Sequence, residues 1–233
     1  MPDVTIVIPN YNGIAYLGAC LRSVEKQEGV SAEVLIVDNG STDGSQEYIR
    51  TEFPACRLIC LEKNYGFCRA VNEGITASDT EYVLLLNNDT LVRKGFVEAL
   101  LRRIERSEKI FSVEAKMLQY QDEARIDSAG TYYNALGWAF ARGKDQSAKK
   151  YNYCVKTFAA CGGAAIYRRK VFDDPVLQRI LFTQEVLFQK PQPCHLYIKV
   201  HLFFDMGIPC CKHLDLRIGK RGFIDIFRGP HRR

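Results

Sequence analysis

Tyr82-Val83-Leu84-Leu85-Leu86-Asn87-Asn88-Asp89 sets five apolar residues directly against two amides and a carboxylate. An apolar run this short, closed by turn-forming polar residues, reads as a strand buried on both faces. The same wording recurs upstream. Val4-Thr5-Ile6-Val7-Ile8-Pro9 is β-branched, ends on proline and is followed by Asn10-Tyr11-Asn12. Glu33-Val34-Leu35-Ile36-Val37-Asp38 runs into the turn-rich Asn39-Gly40-Ser41-Thr42-Asp43-Gly44. Arg57 to Glu62 is a further expected strand. Between these runs, Ile14 to Glu25 spaces Leu17, Leu21 and Val24 at helical intervals. Ser45 to Thr51, Gly66 to Ile75 and Gly95 to Glu105 also read as helices.

Strands and helices that alternate in this way predict an α/β fold, a mostly parallel sheet with helices on both faces. In such sheets ligands gather beyond the carboxyl ends of the strands. Three expected strand ends carry polar or acidic side chains: Asn10-Tyr11-Asn12, Asp38-Asn39 and Asn87-Asn88-Asp89. Their convergence predicts a polar, acidic pocket along one edge. After Ser112 the pattern loosens. Val113 to Leu118, Thr131 to Tyr133 and Phe158 to Tyr167 are expected strands, and Arg168 to Phe172 the start of a helix.

At 233 residues, 47% hydrophobic and 25% charged, the chain has the composition of an ordinary globular protein with room for a real core. The net charge of +5 sits mostly in the last quarter, where ten Lys/Arg face six Asp/Glu between Asp173 and Arg233. A mildly basic end of this kind suits an anionic membrane surface or an anionic acceptor, and equally a solvated face. No secretory signal is read at Met1-Pro2-Asp3, and no apolar run approaches the roughly 18 residues of a spanning helix. The expected location is cytoplasmic, with peripheral membrane contact through the basic end, and no nucleic-acid partner is expected. The nine cysteines lack paired spacing and read as reduced, half-buried small hydrophobes.

Ile8-Pro9-Asn10-Tyr11-Asn12-Gly13 is neither a dinucleotide fingerprint nor a P-loop. Acidic strand ends point instead to a divalent cation holding a diphosphate, because Mg²⁺ and Mn²⁺ take hard oxygen ligands from carboxylates and substrate phosphates.

Taken together, Val7-Ile8-Pro9-Asn10-Tyr11-Asn12, Ile36 to Gly44, Asn64-Tyr65-Gly66-Phe67, Ala70 to Gly74 and Leu84 to Thr90 resemble family-2 glycosyltransferases of the GT-A fold. The wording is closest to the rhamnosyltransferase-like branch. Arg125 to Gly130, Cys161-Gly162-Gly163 and Arg168-Arg169 extend the likeness. The resemblance implies a GT-A nucleotide-sugar domain over 1–172, followed by a divergent basic segment over 173–233. It implies that Pro9 and Tyr11 line the base pocket and that Asp38 bonds base or ribose. Asp43, Asn64 and Gly66 would shape the nucleotide site, with Asn72 close to the donor. Asn87 and Asn88 stand in the DxD-like motif, and Asp89 would hold Mg²⁺ or Mn²⁺. Trp138, Gly162 and Gly163 fall on the acceptor side.

One element of the family pattern is missing. An inverting transferase needs a general base, which the resemblance places in a Glu-Asp pair about 25 residues after the Gly-Gly segment. Here Glu185, 22 residues after Gly163, is the nearest candidate, and Val186 follows it. Cys194, His195, His201, Cys210, Cys211 and His213 fit no usual zinc spacing. The expected activity is inverting transfer of a sugar from a UDP- or dTDP-sugar to a saccharide or lipid-linked acceptor in cell-envelope polysaccharide synthesis. The alternative is a nucleotide-sugar-binding protein without transferase activity. A nucleotidyltransferase ranks last, since the basic Gly-rich loop after the first strand is absent.

Overall fold

The computed structural model describes residues 2–134 and 139–173, together with two short strands at 217–218 and 224–225. Its first half alternates strand and helix: β1 (Val4–Asn10), α1 (Ile14–Glu25), β2 (Ala32–Asp38), α2 (Ser45–Glu52), β3 (Arg57–Cys60), α3 (Phe67–Thr76), β4 (Tyr82–Leu86) and α4 (Phe96–Ile104). Then follow β5 (Ser112–Glu114), β6 (Met117–Leu118), β7 (Ile126–Ser128), β8 (Thr131–Tyr133), β9 (Ala139–Ala141) and β10 (Ala164–Arg168). Short 3₁₀ segments cover Ala148–Lys150 and Arg169–Asp173. Arg217–Ile218 and Ile224–Asp225 pair antiparallel with each other.

Six strands form the main sheet in the order β3-β2-β1-β4-β10-β5. Strands β1, β2, β3 and β4 are mutually parallel, whereas β10 runs antiparallel to both β4 and β5. Every residue of β1, β4 and β10 is buried, as continuous apolar strands covered on both sides require. Val4, Ile6 and Ile8 pack on the side of α1, α2 and α4 against Leu17, Leu21, Ile49, Leu100 and Ile104. Val7, Leu35, Val37 and Leu85 face the other way, toward Ala70, Val71 and Ile75 of α3. Gly74 lets α3 come down onto β1, since a Cβ there would overlap Val7 Cγ1. Pro9, which has no N–H to donate, lies beyond the last β1–β4 pair, Val7 with Leu85.

Three expectations for the second half need correction. The run Val113 to Leu118 is not one strand: β5 joins the main sheet, while β6 pairs separately with β7. Phe158 to Tyr167 is likewise interrupted. Phe158 N and Ala159 N turn toward Thr131 O, Gly162-Gly163 makes a turn, and only Ala164 onward enters the sheet. The chain leaves β5, forms the β6–β7 and β8–β9 pairs and returns as β10 in the opposite sense. An antiparallel return of this kind needs no crossover helix. Arg168, expected at a helix start, is instead the last residue of β10, buried at 2% exposure.

Candidate active site

The carboxyl ends of β1, β2 and β4 are neighbours because β1 lies between the other two. This places Asn10, Asp38 and the Asn87-Asn88-Asp89 segment together. Asn10 Nδ2 donates to Asp38 Oδ2 at 2.8 Å and to Ser41 Oγ at 3.2 Å. Asn88 Nδ2 donates to Asn10 Oδ1 at 2.7 Å. Asp38 is fully buried, and its other oxygen accepts from Ser41 N at 2.9 Å and Gln46 Nε2 at 2.7 Å. Three donors thus compensate the burial of one carboxylate, which would otherwise be costly.

A second network joins β2 to the loop before α3. Asn39 Nδ2 donates to Asn64 Oδ1 at 2.9 Å and to Gly66 O at 3.1 Å, while Asn39 Oδ1 accepts from Tyr65 N at 3.0 Å. Asn64 Oδ1 also accepts from Gly66 N at 2.8 Å. Gly66 sits at φ 90°, ψ 158°, a conformation essentially restricted to glycine. Gly40, at φ 76°, lets the two loops meet, because a Cβ there would stand 2.5 Å from Lys63 Cα.

Asp43 belongs to the scaffold of this edge. Its Oδ2 accepts from Ile14 N, the first residue of α1, at 2.9 Å, and its Oδ1 from Ser45 N, the first of α2, at 3.0 Å. Ser45 Oγ donates to the same Oδ1 at 2.5 Å. Partial burial pushes the carboxyl up, but Ser45 Oγ, Ile14 N and Ser45 N together outweigh it and hold Asp43 below the ordinary carboxylate range.

Asp89 is exposed at the turn after β4. Beneath this turn Cys20 Sγ donates to Asn87 O at 3.6 Å, and Thr90 Oγ1 to the same oxygen at 2.7 Å. Burial, more than the nearby Asp89 charge, pushes the Cys20 thiol up to about 12. Asn87 N donates to Gly163 O at 2.9 Å, which ties the β4 end to the turn before β10. Asn87 Oδ1 is buried without a hydrogen-bond partner. Among the described residues no three His, Cys, Asp or Glu side chains cluster to cage a metal. One exposed carboxylate next to amide oxygens does fit Mg²⁺ or Mn²⁺, which complete their shells with substrate phosphates and water.

Of the residues expected at the site, Asp38, Asn64, Gly66, Asn88 and Asp89 therefore gather at one sheet edge. Tyr11 is 49% exposed beside it, whereas Pro9 is buried inside β1. Asn72 is half-buried on α3, and Gly162 and Gly163 are buried in the turn before β10. Trp138 and Glu185 lie outside the described residues. Asn10 and Asn39, expected only as polar strand ends, and Ser41 and Gln46, for which the sequence suggests no role of their own, are the connectors. A signal was there for Asn10 and Asn39: amides at the ends of buried apolar strands must find partners. Glu114 is a further connector, accepting from Ser128 Oγ at 2.8 Å and Cys161 N at 3.1 Å. Arg168, expected only at a helix start and in the extended likeness, fastens α4 and the following loop to the sheet.

A model of the family described as glycosyl transferase family 2 matches residues 5–174. The chain belongs to this family. Glycosyltransferase GlyG of Streptococcus pneumoniae serotype 4 is 30% identical over 105 residues, 44% of this chain and 35% of that protein. Succinoglycan biosynthesis protein ExoO of Rhizobium meliloti is 36% identical over 109 residues, 46% of this chain and 30% of that protein. The matched part of this family-2 glycosyltransferase chain thus spans about a third of these curated relatives. S. aureus TarS 1-349 in complex with UDP-GlcNAc aligns with TM-score 0.52 at 20% identity, over 75% of this chain and 48% of that one. Mannosyltransferase PcManGT from Pyrobaculum calidifontis, in complex with GDP-Man and Mn²⁺, aligns with TM-score 0.53 at 15% identity, over 87% of this chain and 70% of that one. At these identities the likeness is one of fold, and the fold is GT-A. No helix among the described residues is long and apolar enough to cross a membrane.

Proposed function

We propose that this chain binds a nucleoside-diphosphate sugar and transfers its sugar, with inversion, to a saccharide or lipid-linked acceptor in cell-envelope polysaccharide synthesis. The observation that carries the reading is the joined edge of β1, β2 and β4. There the loop bearing Asp38 to Gly44 is hydrogen-bonded, through Asn10, to the segment bearing Asp89. Tyr11 and Tyr65 stand exposed at this edge and offer stacking surface to a base. The rigid Asn39–Asn64–Gly66 network shapes the loop beside them. Asp89 and the neighbouring amide oxygens would hold Mg²⁺ or Mn²⁺. The cation, when bound, would neutralise charge on the departing diphosphate. UDP or dTDP is the donor nucleotide in this reading, the latter from the rhamnosyltransferase-like wording of the motifs.

Membership of the family and the named biosynthetic role of ExoO support this reading. The donor side is tested by calorimetry with UDP or dTDP and Mn²⁺. Binding is expected for the intact chain and is lost in Asp89→Ala; undiminished binding in that variant would sink the cation assignment. The acceptor side rests on Glu185 as base. Sugar transfer abolished by Glu185→Gln supports it. Donor binding without transfer across an acceptor panel favours the second reading, a nucleotide-sugar-binding protein, which the missing Glu-Asp pair motivates.

A further inference from the structure

The motif at the end of β4 carries an amide at position 88, where a second carboxylate would bring more charge to a cation. The hydrogen-bond chain beneath it explains why. Asn10 is 2% exposed. Its Nδ2 lies 2.8 Å from Asp38 Oδ2 and its Oδ1 lies 2.7 Å from Asn88 Nδ2. Asp38 in turn takes Ser41 N and Gln46 Nε2 on its other oxygen.

The polarity of this chain follows from chemistry. An ionised carboxylate only accepts, so Asn10 must turn its NH₂ toward Asp38. That leaves Asn10 only an oxygen to offer position 88, which must therefore donate. An asparagine can, and its own oxygen is then turned away from Asn10. An ionised aspartate cannot: its oxygen would face Asn10 Oδ1. Rotating the Asn10 amide would not relieve the conflict, since its oxygen would then face Asp38. Gly13 closes the contact from above, because a Cβ there would overlap both Asn88 Nδ2 and Asn10 Oδ1. The backbone passes directly over this pair and leaves little room for it to repack.

We propose that Asn10 is a positioning residue for the donor–cation site. It selects an amide over a carboxylate at position 88 and fixes that amide with its oxygen on the side away from Asn10. The inference rests on the reading of Asp89 as the cation ligand and adds a specificity rule to it. Position 88 is tuned by the neighbouring strand and cannot take a carboxylate while Asn10 stands beneath it.

The test uses the full chain as wild type, Asn88→Asp, Asn88→Ala, Asn10→Ala and the double variant Asn10→Ala/Asn88→Asp. UDP is titrated in the presence of Mn²⁺ by calorimetry. Counting ligand charge predicts tighter binding for Asn88→Asp. The relay predicts binding weaker than wild type by about ten-fold. It also predicts that Asn88→Asp costs less affinity in the Asn10→Ala background than in wild type, since no amide oxygen then faces the new carboxylate. Asn88→Asp binding as tightly as wild type with Asn10 intact, or costing as much in the Asn10→Ala background, overturns the proposal. Thermal unfolding without ligand reads the same conflict: with Asn10 intact, Asn88→Asp melts below Asn88→Ala. Asn88→Asp melting at or above Asn88→Ala also overturns it. A wild-type chain that binds no UDP with Mn²⁺ would instead sink the cation reading and leave the melting order unchanged.

Discussion

Replacing Arg168 with methionine should remove a large share of the protein's stability. The guanidinium is 2% exposed at the end of β10. It donates from Nε to Ile110 O at 2.9 Å and from one terminal nitrogen to Ile104 O at 3.0 Å. Ile104 is the last residue of α4, so Arg168 satisfies a carbonyl that the helix itself leaves unpaired. The other terminal nitrogen reaches Tyr82 Oη at 3.1 Å. Methionine keeps the unbranched stem as far as the position of Nε but donates nothing. Two short charge-assisted bonds to main-chain carbonyls, at about 2 kcal/mol each, give an expected loss of about 4 kcal/mol. Glu81 and Glu108 also sit near the guanidinium, yet both are largely exposed and add little. Native domains hold only about 5–15 kcal/mol in reserve, so a loss of this size is a large share. Urea unfolding followed by circular dichroism measures it: with a slope of about 2 kcal/mol/M, the midpoint should fall by about 2 M. Arg168→Lys should recover less than half, because an ammonium cannot reach both carbonyls as the planar fork does. A midpoint within about 0.5 M of wild type for Arg168→Met would refute the assignment of Arg168 as the fastener of α4.

Asp43→Ala should cost about 1–2 kcal/mol, because one carboxylate caps the first residues of both α1 and α2. The Asp43 carboxyl is held below its ordinary value, so its contribution is full above the unfolded-state value and fades as pH falls through the depressed one. The stability gap between wild type and Asp43→Asn should thus be flat near neutrality and shrink only below about pH 4; a gap that instead widens on acidification contradicts the capping role. Thiol labelling with peptide mapping should modify Cys60 and Cys154, which are exposed, well before Cys20. Cys20 is fully buried with its thiol pushed up to about 12, and rapid native-state labelling there would contradict the packing of α1 under the Asp89 turn.

The first half of the fold was legible because its signals are local. The expected bounds of β4 and α1 agree with the structure at both ends, and the other early elements differ by a residue or two. The second half was less so. The expected strand Thr131 to Tyr133 agrees with β8, but β6 and β7, of two and three residues, carry too little periodicity to separate, and the Gly162-Gly163 turn hides inside an apolar run. Among the site residues, Asp38 and Asp89 stood out in the sequence alike, as acids at strand ends. The structure separates them: Asp38 is fully buried with three donors on it, and Asp89 is exposed.

By itself the sequence determined that apolar strands alternate with helices, that three strand ends are polar, and that the motifs are those of a family-2 glycosyltransferase. Those properties depend on residues adjacent in the chain. The order of the strands is set by packing across the sheet, and only the tertiary structure decided that β1 lies between β2 and β4. That order brings Asn10 between Asp38 and Asn88, residues 28 and 78 positions away. A side-chain amide has one donating end and one accepting end, so its place between the two gives the site its polarity.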